Sequence, residues 1–324
     1  MTGYEPTLPR YRDLPSRGDI DHCAWGLFGA DDQVGMFNLQ TSERVLAAAR
    51  LVRQGRVFPL NWRLEYPDPP VYGRGALQHR MVSFPPDDWG HDDWYDNFYP
   101  QASSQWDGLT HVGVGGGVFY NGVTKAQVTG EFGTKNGIEQ WARRGIVGRC
   151  VLLDYARWHE RELGSLARDE RLSISVDQLE AVRRAQGVEL QPGDVLLLRS
   201  GWMEWYEHQD AGTREAVSRP GATRFPGLES TTAMAEYLWD HQLAAVAADN
   251  PALDAQPSRD GGDGRVFLHY YLLGRFGMAI GEMFYLEELA ADCARDGVYE
   301  AFFTSAPLNK LGGCGSPSNA LALK

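Results

Sequence analysis

The sequence has no CxxC pair: its four cysteines, Cys23, Cys150, Cys293 and Cys314, lie far apart in 324 residues. That spacing excludes a thiolate zinc site and a disulfide framework, and it leaves the cysteines as small buried hydrophobes. Positive charge is also scarce. Lys and Arg total 31 against 43 Asp and Glu, a formal net charge of -12, and no basic block exists of the kind that neutralises phosphates, which argues against a nucleic-acid partner. No apolar run reaches about 18 residues, the length a membrane-spanning helix needs. The opening segment MTGYEPTLPRYRDLPSRGD lacks the apolar stretch of a secretory signal. The expectation is a cytoplasmic protein with no membrane partner. Repeats and low-complexity linkers are missing too, so the chain reads as one domain over 1–324, with 1–40 as an N-terminal extension. No G-x-S-x-G elbow offers a nucleophilic serine.

What is present has a regular grammar. TSERVLAAARLVRQG predicts a helix capped by Thr41 or Ser42 and stopped at Gly55. SVDQLEAVRRAQG places Ser175 and Gln178 at capping-box spacing and ends on Gly187. Between such helices lie the short apolar runs CVLLDY, DVLLLRSGW and LAAVAAD, each of a length that suits a buried strand. The alternation predicts an α/β protein with a mixed, partly parallel sheet covered by helices.

Two segments break the grammar. Residues 84–111, FPPDDWGHDDWYDNFYPQASSQWDGLTH, mix Pro, Asp and aromatics without periodicity and read as a long functional loop. Residues 264–290 set His269 in an apolar stretch and Glu282 shortly before a helix. Asp107 and His111 are four apart. On a helical turn their Cβ atoms would stand about 5–6 Å apart, close enough to share one ion; on a straight strand they would be about 13 Å apart. A third ligand must come from elsewhere, and His269 and Glu282 are the candidates, since a buried histidine or carboxylate needs a polar partner. Each has an ordinary alternative: a hydrogen-bonded core histidine, and a helix-capping glutamate. The glycines of GVGGGVFYNG precede β-formers rather than a helix, so they read as a tight backbone approach or a hairpin and not as a dinucleotide loop. His91 lies in the aromatic loop. Asp249, in AADNPALD, sits where a strand end delivers a site residue, or else opens an Asx-turn into Pro251.

Taken together and in order, WGLFGADDQVGMFNL, SERVLAAARLVRQGRVFPLNW, NFYPQASSQWDGLTH, FYNG, RRGIVGRCVLLDYARW, PGDVLLLRSGW, AADNPALD and HYYLLGRFGMAIGEMFYLEEL resemble the metal-dependent cyclase family that includes bacterial kynurenine formamidase and isatin hydrolase. The resemblance spans roughly residues 24–290. Laid on this chain, the family signature His-x-Gly-Thr-His-x-Asp-x-Pro-x-His puts its first His on Asp107, its Gly on Leu109, its Thr on Thr110 and its second His on His111. Its Asp falls on Gly113 and its last His on Gly117, while the downstream family His and Glu match His269 and Glu282. The resemblance implies a swivelling β/β/α fold and a reduced metal site in which the two glycines stand where a second ion's ligands would be.

The expected activity is hydrolysis of a small aromatic or cyclic amide, lactam or lactone by metal-activated water. One Zn or Mn ion would be held by Asp107, His111 and Glu282, and His269 would pass the proton. Trp89, His91, Trp94, Phe98 and Trp106 would wall the substrate. Two alternatives stand beside it. One is ring closure or dehydration of a secondary metabolite, with His269 or Asp249 as base and a metal or Tyr120 holding an enolate; the other is a ligand-binding relative without activity. A homodimer or homotetramer is expected.

Overall fold

The computed structural model describes residues 8–257 and 267–324. Its strands are β1 (Val57–Pro59), β2 (Gln78–Ser83), β3 (His91–Asp96), β4 (Gln105–Asp107), β5 (Ile146–Asp154), β6 (Ser173–Ile174) and β7 (Val195–Arg199). They continue as β8 (Gly227–Leu228), β9 (Ala245–Ala248), β10 (Ala279–Glu282), β11 (Glu300–Ser305), β12 (Gly315–Pro317) and β13 (Ala320–Leu323). Among the described residues, nine of these form one sheet in the order β1-β13-β11-β5-β7-β9-β10-β4-β12. The centre, β5-β7-β9-β10, is parallel, and both flanks are antiparallel. This is the mixed α/β architecture that the alternating pattern predicts.

Burial on both faces explains why the central strands are uninterrupted apolar runs. Val151 and Leu153, Leu196 and Leu198, and Val246 and Ala248 face one apolar cluster. Their neighbours Cys150 and Leu152, Val195 and Leu197, and Ala245 and Ala247 face the other. Leu8, Tyr11, Leu14, Ala24, Met36 and Leu39 join the first cluster, so residues 8–40 are packed on the body; residues 1–7 lie outside the described residues. Among the described residues, no helix is long and apolar enough to cross a membrane.

Helix Val176–Gln186 has the capping box of Ser175 and Gln178 and a left-handed Gly187 at its end. Helix Ser42–Ala49 starts from Thr41 as expected but stops six residues before Gly55. The reason is competition: the backbone N–H groups of Gln54 and Arg56 donate to the Lys324 carbonyl, which draws the chain out of the helix and into β1. The 84–111 segment is likewise not one loop. It contains β3, paired with β2 in an antiparallel hairpin exposed on both faces, and β4. A strand that buries neither face has no alternating pattern to betray it. Of the cysteines, Cys314 is exposed and the other three are buried.

At the carboxyl ends of β5 and β7 sits a dense ionic cluster. Arg199, 7% exposed, binds Asp154 at 2.9 Å, Glu204 at 2.6 Å and Glu287 at 2.6 Å. Glu287 Oε1 is buried without a hydrogen bond. Burial, only partly opposed by Arg199, pushes Glu287 up from its ordinary 4.5 to about 7. A folded-state pKa above the unfolded one means that Glu287 favours folding below about pH 4.5 and loses that contribution as pH rises through about 7. Glu287→Gln is therefore expected to gain stability relative to wild type between pH 5 and pH 8, on the order of 2 kcal/mol, in urea unfolding. A difference that stays flat with pH would contradict this.

Candidate metal centre and its cavity

Strand register builds half of the centre. β4 and β10 run antiparallel with Gln105 opposite Glu282 and Asp107 opposite Ile280. Successive side chains alternate faces, so Gln105, Asp107 and Glu282 share one face while Trp106 points to the other. The other half comes from the segment before β10. His269 immediately precedes a π-helical run, Tyr270–Phe276, a rare geometry that often marks functional sites. Asp254 fixes that start: its Oδ1 accepts from Ser230 Oγ at 2.6 Å and from the Leu268 N–H at 3.3 Å, and its Oδ2 faces His269 Nδ1 at 3.2 Å.

His269 Nε2 then points between two carboxylates, 3.2 Å from Glu282 Oε1 and 3.5 Å from Asp107 Oδ2. Gln105 Nε2 donates to Glu282 Oε2 and, at 3.4 Å, to Asp107 Oδ1. His111 Nε2 lies 3.6 Å from Asp107 Oδ1, its side chain 27% exposed. Asp107, Asp254, His269 and Glu282 are all buried. Burial and the Asp107 charge push Glu282 up to about 7. For Asp107, burial is outweighed by the charges of His111 and of the adjacent His269, and its carboxyl falls below the ordinary range. Burial would lower His269, but its contacts with Asp107, Asp254 and Glu282 raise it well above the usual value. At His111 the Asp107 charge favours protonation, yet burial with the His269 and Arg74 charges leaves the pKa lowered.

These groups fit a divalent cation. Ligands about 2.0–2.2 Å from a tetrahedral ion stand about 3.3–3.6 Å apart, close to the 3.2 and 3.5 Å that separate His269 Nε2 from Glu282 Oε1 and Asp107 Oδ2. Asp107, His269 and Glu282 each offer a donor atom, all within 4.8 Å of one another. Asp107 Oδ2 is buried with no hydrogen bond, and a pair of buried carboxylates is costly unless a cation compensates it. The set therefore combines Asp107 and Glu282 with His269, whereas the sequence reading combined them with His111. Asp254 behind His269 Nδ1 completes the pattern of a carboxylate orienting a ligating imidazole.

The centre opens into a cavity of about 370 Å³ lined by Tyr72, Arg74, His111, Phe267, His269 and Glu282, among others. Phe267 lies flat on His269, with ring centroids 4.1 Å apart. The remaining residues singled out from sequence stand elsewhere. Asp249 is buried, accepting from the Ser200 and Gly201 N–H groups and from Ser200 Oγ, all at 2.7 Å. Tyr120 donates to Asp32 at 3.0 Å. Trp106 is enclosed by Phe37, Phe284 and Phe303 and donates to Ser305. Trp89, His91, Trp94 and Phe98 lie on or beside the exposed hairpin, Trp89 at 73% exposure. None of these lines the cavity. The glycines at the motif's missing ligand positions have their own physical cause: a Cβ on Gly113 would stand 2.2 Å from the Val118 carbonyl, and Gly117 has φ +73° in the turn that returns the chain.

Asp254, Gln105, Tyr72 and Arg74 were not singled out from sequence. Asp254 ends the same AADNPALD segment from which Asp249 was picked, and Gln105 lies in SQWDGL.

A family model described as "Putative cyclase" matches residues 60–255, and a crystal structure of a novel cyclase aligns at 34% identity over 93% of this chain and 99% of that one, with TM-score 0.82. The chain belongs to the cyclase family. Other cyclase-like folds are more distant. Isatin hydrolase A from Ralstonia solanacearum aligns at 19% identity over 88% of this chain and 98% of its own, TM-score 0.61. Isatin hydrolase A from Labrenzia aggregata, bound to benzyl benzoate, aligns at 18% over 87% and 98%, TM-score 0.58. Both share the fold of this cyclase-family chain. No curated protein matches the sequence.

Proposed function

We propose that this protein is a divalent-metal-dependent hydrolase that cleaves the C–N or C–O bond of a small cyclic or aryl amide, lactam or lactone. The observation that carries the reading is the donor spacing of Asp107, His269 and Glu282 at a cavity that can admit a small planar molecule. A bound ion there supplies Lewis acidity toward a carbonyl and lowers the pKa of water toward about 7. Carboxylate and imidazole are ligand types that both Zn and Mn accept.

The protein's own groups divide the remaining work. Asp107, His269 and Glu282 hold the ion, and Asp254 holds the His269 ring. Gln105 steadies both carboxylates through its amide. His111, on the cavity wall and neutral near pH 7, accepts the proton released as water adds to the carbonyl carbon. It returns that proton to the departing nitrogen or oxygen, so the C–N or C–O bond breaks to give an acid and an amine or alcohol. Phe267 offers a flat face to the substrate. Of the groups named for ring closure, His269 serves here as a ligand to the ion, and Asp249 and Tyr120 are engaged away from the cavity.

The test is a panel of aryl formamides, lactams and lactones with the zinc-loaded protein. His111→Ala is expected to retain about one equivalent of zinc while kcat falls about 10²- to 10⁴-fold, the usual worth of a proton carrier. Undiminished kcat would remove His111 from the mechanism. A zinc-loaded protein that cleaves no member of the panel would overturn the hydrolase reading.

A further inference from the structure

Arg74 is a half-buried cation on the wall of the catalytic cavity. Its Nη1 donates to the Gln101 carbonyl, and its guanidinium lies over the Tyr72 ring, 5.6 Å from the centroid. These two contacts fix the position of the group. Among the described residues, no carboxylate pairs with it within 4 Å, in contrast to Arg149, Arg183 and Arg199, which all bind acids. Nothing described accepts from Nε or Nη2. Its charge nevertheless reaches the centre, lowering both Asp107 and Glu282. The contrast with the whole chain matters, because a net charge of -12 repels anions at long range. An anionic substrate would need a dedicated cation inside the cavity.

We propose that Arg74 anchors a carboxylate of the substrate, so that the preferred substrates are planar aryl or cyclic amides, lactams or lactones bearing a carboxylate. The Nε and Nη2 edge of a guanidinium matches a carboxylate in a two-point contact. The adjacent lining by Phe267, Val112 and Pro251 accommodates the ring. This assignment rests on reading the cavity as the substrate site.

The experiment compares 2-formamidobenzoate with its neutral isostere 2-formamidobenzamide, by calorimetric binding to metal-stripped protein and by kcat/KM with zinc-loaded protein. Using the stripped protein separates Arg74 from direct ligation of the carboxylate by zinc. Wild type is expected to prefer the anion about 10- to 100-fold in both forms, the range of a charge-assisted contact. Arg74→Gln is expected to abolish the preference while keeping one equivalent of zinc. Arg74→Lys keeps part of it, because an ammonium retains the charge but not the fork. Thermal melts of both variants check folding, and if Arg74→Gln does not fold, the lysine variant carries the comparison.

Equal binding of the two probes to wild type, a preference that survives Arg74→Gln, or no binding of either probe would overturn the anchor. The outcomes also separate the two proposals. Cleavage of both probes with equal kcat/KM by wild type and Arg74→Gln leaves the hydrolase and removes the anchor. An Arg74-dependent preference in a protein that binds no zinc and cleaves neither probe leaves the anchor and removes the hydrolase.

Discussion

His269→Ala is expected to lower zinc affinity by more than about 100-fold and to abolish hydrolysis with it. Replacing a group that merely orients a ligand costs about 10- to 100-fold, and His269 is the only nitrogen donor in the set. Its removal has a second cost. Asp107 and Glu282 would face one another across an empty, buried space with Gln105 as their shared donor, and Asp254 Oδ2 would lose its partner. Asp254→Asn should show the intermediate loss of about 10- to 100-fold, because it disturbs the ring without removing the donor. His79→Ala, on the exposed hairpin, should bind zinc as wild type does. Competition titrations with a chelator read all three affinities. If His269→Ala bound zinc with undiminished affinity, the ligand set would be wrong.

The largest expected effect on stability lies at Arg199. Arg199→Leu is expected to destabilise the fold by about 3–5 kcal/mol at pH 7, the range for breaking a buried ion pair by removing one partner. The deletion is severe because one guanidinium serves three carboxylates. Asp154 would keep Arg157 at 3.0 Å, and Glu204 is 44% exposed and can turn to water. Glu287 has neither recourse: it is 16% exposed, and its other oxygen already lacks a hydrogen bond. Protonation of Glu287 relieves the defect, so the loss should shrink at pH 5, and Glu287→Gln added to Arg199→Leu should recover part of it. Urea unfolding at the two pH values decides the matter. A loss below about 1 kcal/mol at pH 7 would mean that the cluster contributes little beyond a surface pair.

The parts legible in the sequence were those governed by local physics. The capping box at Ser175 and the apolar runs of β5, β7 and β9 depend on neighbours in the chain or on burial of both faces, and each stands where the pattern indicates. The end of the first helix was not legible, because it depends on Lys324, 270 residues beyond Gln54. At the centre, Asp107, His269 and Glu282 were visible as ionisable groups in apolar surroundings. Their pairing depends on the β4–β10 register, which no spacing encodes. Asp249 looked like a site residue because it follows a strand end, yet its carboxylate caps the turn after β7. The aromatics of 84–99 had the composition of a pocket wall, but the hairpin holds them outward. Arg74 sits in YGRGALQ, which has no periodicity and no partner in sequence; only the cavity gives it meaning.

Anomalous diffraction at the zinc edge, from crystals of the wild-type protein grown with zinc, tests the account most directly. It predicts one strong peak per chain about 2.0–2.2 Å from Asp107, His269 Nε2 and Glu282, with His269 Nδ1 still on Asp254. A peak held by other residues, or none at this centre, would contradict it.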